Sequence, residues 1–153
     1  MAQNEVIKRE HIMLGLSAAD KEECLRAIAQ KAVELGLCTD AQAAYEGFMF
    51  RESQGATGLE DGFAIPHTRC DAVVKSGVIF AKTQKPVEWE SMDDQPVEVM
   101  LALIVPKDGS NEHIRLLAAL SRMLIKKDFR EALKGSSSEE EIFELLSGVM
   151  NEK

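Results

Sequence analysis

The sequence predicts a single α/β domain over residues 1–153, built on a mixed sheet of about five strands with helices on both faces. Three observations lead there. The segment Val97-Glu98-Val99-Met100-Leu101-Ala102-Leu103-Ile104-Val105 is unbroken apolar after Glu98 and stops at Pro106. That is the pattern of a central strand buried on both faces, which requires helices above and below it. Segments with helical spacing flank it in the chain, each opened by a capping residue. No internal repeat, low-complexity run or linker divides the 153 residues, and a chain of this length removes roughly 68–70% of its unfolded surface from water.

In order, His11-Ile12-Met13-Leu14-Gly15-Leu16 reads as a short strand. Asp20-Lys21-Glu22-Glu23 has capping-box spacing, and Leu25, Ile28, Ala29, Ala32 and Leu35 recur at helical intervals until Gly36. Thr39-Asp40-Ala41-Gln42 caps a second helix with Ala41, Ala44, Tyr45, Phe48 and Met49 inward, ending near Arg51 to Ser53. Phe63-Ala64-Ile65 is a short strand that Pro66 ends, and Gly77-Val78-Ile79-Phe80-Ala81 is another. Pro86 to Trp89 and Met92 to Asp94 predict a hairpin or bend leading into the central strand. After Lys107-Asp108-Gly109-Ser110, Asn111 is expected to cap a helix with Ile114, Leu117, Ala118, Ser121, Leu124 and Ile125 inward. Asp128 to Glu131 caps a short helix ending at Gly135, and Ser138 to Glu141 caps a last one burying Ile142, Leu145, Leu146 and Val149.

Composition excludes several classes. With 45% hydrophobic and 29% charged residues the chain is an ordinary globule. A net charge of −8 opposes nucleic-acid binding and suits a partner with a basic docking face. No apolar run is long enough to span a membrane and the N-terminus lacks signal-peptide shape, so a cytoplasmic location without membrane insertion is expected. Cys24, Cys38 and Cys70 have no paired spacing and read as reduced thiols.

The chemistry centres on Gly62-Phe63-Ala64-Ile65-Pro66-His67-Thr68-Arg69. His67 falls where a short strand stops, and glycines at 55, 58 and 62 predict a constrained loop upstream. A neutral imidazole, with an ordinary pKa of about 6.5, is a competent nucleophile near neutral pH. His113 falls in the first turn of the helix after the central strand, at the strand's carboxyl end, where open α/β sheets place ligands. Amide groups and the helix dipole there favour an anion and keep an imidazole neutral.

Arg51-Glu52, Thr57-Gly58, Gly62 to His67 and Asn111-Glu112-His113-Ile114-Arg115-Leu116-Leu117 together resemble the fructose/mannitol-type IIA component of the bacterial phosphoenolpyruvate-dependent sugar phosphotransferase system. The resemblance runs from His11 to Val149. It implies a phosphotransferase in which the histidine of Ile-Pro-His takes a phosphoryl group from the phosphocarrier HPr and passes it to a IIB domain, coupled in turn to membrane IIC. His67 matches that histidine, and His113 matches a second, supporting one. Arg51 is then expected to fork onto phosphate oxygens, and Thr57 and Thr68 to offer hydroxyls to them, although the family commonly has Gly or Ala where Thr68 stands. A P–N bond to imidazole is labile, so no metal or cofactor is expected. Glu60 and Asp61 should point to solvent, away from phosphate charge, and an exposed apolar ring including Phe63 should form the docking surface. Trp89 and Asn111 to Ile114 resemble fructose-type members more closely. The alternatives are a nitrogen-regulatory relative of the same family and, with little support from spacing, a metal hydrolase using His11, His67 and His113. His11 otherwise reads as an exposed residue.

Overall fold

The computed structural model describes residues 6–150. Strand β5 (Val97–Pro106) is its centre, and its side chains alternate between two cores. Val99, Leu101 and Leu103 pack with Leu116, Leu120 and Met123, while Met100, Ala102 and Ile104 pack with Leu25, Ile28 and Phe48. Each fully buried aliphatic side chain contributes about 1.5–3 kcal/mol, so the strand stabilises both layers and faces solvent on neither side.

Antiparallel to β5 lies β4 (Gly77–Val87), which carries β1 (Ile12–Leu16) in parallel on its far side. The other edge of β5 pairs in parallel with β2 (Phe63–Ala64) and β3 (His67–Cys70). The expected hairpin is present: β4 extends through Pro86, and the chain turns where Asp94 adopts a positive φ of 59° and Ser91 Oγ donates to Gln95 O at 2.7 Å. Helices α1 (Lys21–Glu34) and α2 (Ala41–Ser53) cover one face of this mixed five-stranded sheet. The other face is covered by α3 (Ser110–Ile125), α4 (Lys127–Gly135) and α5 (Glu139–Met150).

Most helix starts follow their caps. Asp20 accepts from Glu23 N at 2.9 Å while Glu23 Oε1 accepts from Ala19 N, a capping box reaching one residue further back. Asp40 rather than Thr39 caps α2, accepting from the amides of Gln42 and Ala43, and Ser138 Oγ accepts from Glu141 N at 3.2 Å. Two expected caps are not formed. α3 already starts at Ser110, so Asn111 lies inside its first turn, and α4 starts at Lys127, ahead of Asp128. The inward face of α3 is partly as expected, with Leu124 buried and Leu117 packed against the core, but it is rotated so that Leu116, Ala119, Leu120 and Met123 are buried whereas Ser121, Ile114 and Ile125 are exposed. The helix carries two apolar stripes at helical spacing, and contact with the sheet and α5 selects between them. His11 is buried rather than exposed, because its Nδ1–H donates to Val78 O at 2.9 Å and ties the turn before β1 to β4.

The contact of α2 with β3 fixes the strand that bears the candidate site. Thr68 Oγ1 donates to Ala44 O at 2.9 Å, and a Cβ at Gly47 would overlap that hydroxyl. Helix propensity alone favours Ala over Gly by about 1 kcal/mol. Gly47→Ala is nevertheless expected to destabilise the protein by about 1–3 kcal/mol through overpacking, and to cost clearly less in a Thr68→Ala background. Urea unfolding of the two single variants and the double variant measures that coupling; additive effects would exclude it.

Candidate active site

Ile65-Pro66 interrupts an otherwise continuous edge. Phe63 pairs with Val99 and His67 with Leu103, so β2 and β3 keep one register on β5 across the break. His67 therefore opens a strand rather than following the end of one. Pro66 donates nothing but its carbonyl accepts from Leu103 N at 2.8 Å, and Ile65 N turns outward to Thr57 O at 3.1 Å. The loop before β2 is thereby laid along the sheet edge, as its glycines suggested. Gly58 passes so close to the chain at Glu90 and Ser91 that a Cβ would lie 2.8 Å from Ser91 Cβ.

Strand alternation then sorts the side chains. Thr68 faces α2, and its hydroxyl is already donated to Ala44. It is 1% exposed and on the wrong face to meet a phosphate beside His67, which corrects the expectation for this residue. His67 points to the opposite face, where α3 begins, and its ring centroid lies 5.2 Å from that of His113, with the planes tilted by 36°. The two histidines and the end of α2 meet at one edge of the sheet. Arg51, in the last turn of α2, donates from Nη1 to Gly55 O at 2.7 Å, and its charge acts on both imidazoles.

His67 is 6% exposed and, among the described residues, neither of its ring nitrogens has a hydrogen-bond partner. Burial, then the repulsion that a proton on His67 would meet from the His113 ring and the Arg51 charge, pushes its pKa down to about 3. His113 is held below its ordinary value by burial and by the charges of Arg69 and Arg51. Two neutral rings thus sit side by side with lone pairs available.

Thr57 is beside the site but differently employed. Its hydroxyl donates to Glu52 Oε2 in a very short contact and its amide to Glu52 Oε1 at 3.3 Å, so the hydroxyl proton is not free for a phosphate. Glu52 is 7% exposed and also pairs with Lys21 Nζ at 3.6 Å, which itself lies 5.8 Å from the ring of buried Trp89. The sequence assigns Glu52 no role beyond its place in the motif, and this hub was missed. The signal was there: Glu52 follows Ala44 and Phe48 at four-residue intervals on the buried stripe of α2. Arg69, two residues beyond His67 on the same strand face, was also missed.

Three further expectations change. Glu60 is exposed as anticipated, but Asp61 does not point freely to solvent: it takes a positive φ of 63° and is held by Lys134 at 2.9 Å and Arg130 at 3.0 Å. These partners, Lys134 first, lower its pKa and neutralise its charge. Phe63 is wholly buried and cannot contribute to a docking ring, whereas Phe50 and Ile114, next in sequence to Arg51 and His113, are 65% and 66% exposed. His11 is engaged with Val78 O, and no group of three or more His, Cys, Asp or Glu placed to hold a metal occurs among the described residues.

The fold is that of the IIA components of phosphotransfer systems. It matches the nitrogen regulatory protein IIA-Ntr from Neisseria meningitidis with a TM-score of 0.86 at 30% identity, over 94% of this chain and 97% of that one. It also matches the complex of enzyme IIA mannitol with phosphorylated enzyme IIB mannitol from Escherichia coli, TM-score 0.79 at 27% identity, over 93% and 97%. The family model described as phosphoenolpyruvate-dependent sugar phosphotransferase system, EIIA 2, matches residues 5–149, and the chain belongs to that family. Among relatives, it is 34% identical over 141 residues to the fructose-specific EIIA component of Haloferax volcanii, covering 92% of each. It is 31% identical over 147 residues to the nitrogen regulatory protein of Bradyrhizobium diazoefficiens, covering 96% of this chain and 95% of that relative.

The neutrality of His67 has a sign that can be measured. Between pH 6.5, its ordinary value, and the native value of about 3, the unfolded chain binds a proton that the native chain refuses, so this residue makes stability fall as pH falls through that window. His67→Gln removes the effect. Denaturation at about pH 7 and about pH 4.5 should show a smaller acid loss in His67→Gln than in the parent; equal losses would contradict a buried neutral ring.

Proposed function

We propose that this chain is a phosphohistidine carrier in which His67 accepts a phosphoryl group from phosphorylated HPr and passes it to the IIB component of a sugar permease, fructose-type, and through it to membrane IIC. The reading places the chain in the cytoplasm. The observation that carries it is the pairing of the neutral His67 ring with His113 at 5.2 Å beside Arg51. The fructose-specific relative supports the sugar class, and the mannitol-type complex with phosphorylated IIB supports a IIB partner.

Phosphoryl transfer asks a protein mainly to align donor and acceptor and to neutralise charge on the three equatorial oxygens. In this reading a lone pair on His67 attacks phosphorus, Arg51 and the first-turn amides of α3 stabilise the oxygens, and His113 supports the phosphoryl group or the His67 tautomer. Glu52 holds the Thr57 loop and Lys21 in place without presenting a charge to the phosphate.

A second reading is favoured by the match of TM-score 0.86 to IIA-Ntr: the phosphorylation state of His67 controls partner proteins instead of feeding a permease. Phosphorylation-dependent complexes without transfer to any IIB domain would select it. Both readings require that phosphoenolpyruvate, the first phosphotransferase and HPr label this chain on His67 in an acid-labile, alkali-stable form. His67→Ala is expected to abolish the label, and its persistence would end the assignment. His113→Ala and Arg51→Ala should slow labelling by about 10²–10⁴-fold with the fold intact; unchanged rates would remove them from the mechanism.

A further inference from the structure

We propose that Arg69 is a second phosphate-contacting residue, whose guanidinium meets the phosphoryl group at the mouth of the site and holds its oxygens during transfer to His67. The proposal rests on the reading of His67 as the acceptor. Its first support is geometric. Residues two apart on a strand share a face, so Arg69 stands on the face of His67 and α3, one row further out along β3, paired to Val105 where His67 is paired to Leu103. His67 is buried and Arg69 exposed, so the guanidinium is open to solvent one row beyond the ring.

The second support is its lack of competing partners. Asp71 pairs with Lys107 at 4.0 Å, and Glu112, next to His113, is engaged by Ser76 at 2.6 Å and Arg115 at 3.3 Å. Among the described residues the side chain of Arg69 makes no hydrogen bond or ion pair. In a chain of net charge −8, this guanidinium stands near enough to His113 for its charge to lower the pKa of that ring. Arg51 has one nitrogen occupied by Gly55 O, whereas the whole fork of Arg69 is available for bidentate contact with phosphate oxygens. The two cations approach from different elements, and Arg69 acts on His113 ahead of Arg51.

The step balances without further reactants. The P–N bond to the donor imidazole breaks as the His67 lone pair forms the new one, the electron pair returns to the donor ring, and no oxidant, reductant or metal is consumed. Arg69 offsets charge on the oxygens between the two rings.

Two phosphoryl donors separate contact with phosphate from docking of a protein. Initial rates of His67 labelling should be measured with phosphorylated HPr and with phosphoramidate, for the parent chain, Arg69→Gln and Arg69→Lys. Arg69→Gln should slow labelling by about 10²-fold with both donors, and Arg69→Lys should recover part of the rate, with far-ultraviolet circular dichroism unchanged. Slowing with phosphorylated HPr alone would make Arg69 a docking residue and overturn the proposal, as would parent-like rates with both donors. Failure of the parent chain to be labelled, or labelling that survives His67→Ala, would overturn the acceptor reading itself.

Discussion

Parallel pairing of residues 63–70 with β5 is the constraint on which the site depends. Both strands of that edge keep one register across Ile65-Pro66, because the backbone of β5 supplies partners on either side of the break. β5 cannot shift in response, since from Val99 to Ile104 its odd and even side chains are locked into separate cores. A slip of one residue would exchange His67 with Thr68. The imidazole would then face α2 and the hydroxyl would face α3, leaving no pair of rings.

That register sets the electrostatics. A buried imidazole beside a second ring and a guanidinium disfavours its own protonation, so what the fold retains is a lone pair rather than a charge. The nearby carboxylates are arranged consistently with this. Glu52 is absorbed by Thr57 and Lys21, Asp61 by Lys134 and Arg130, and Glu112 by Ser76 and Arg115. These three carboxylates are each held by a partner, while the charges of Arg51 and Arg69 act on the imidazoles of an otherwise acidic protein. Phe50 and Ile114, the chain neighbours of Arg51 and His113, add exposed apolar surface.

Element types were legible where the signal is local. Asp20, Asp40 and Ser138 cap their helices because a short side chain reaches its own first-turn amides, and Pro106 closes β5 as anticipated. The histidine pair was readable from the motif around His67 and from the placement of His113 after a central strand. Errors arose where two local answers were equally good. α3 carries two overlapping apolar stripes, and of the residues expected inward Leu117 and Leu124 meet the core while Ile114, Ser121 and Ile125 face solvent; His11 looked exposed because nothing in its neighbours announces a carbonyl waiting on β4.

The sequence by itself determined the α/β class, the order of elements and the identity of the two imidazoles, since these follow from side-chain periodicity, capping and the effect of proline on a strand. Only tertiary structure decided which hydroxyls and charges remain available. Thr57 and Thr68 look equivalent in sequence, yet one is bound to Glu52 and the other to the Ala44 carbonyl, whereas the Arg69 side chain has no hydrogen-bond or ion-pair partner among the described residues. The physical reason is that a hydrogen-bonding group commits to whichever partner the packing of distant segments brings within about 3 Å, and that proximity is a property of the assembled layers.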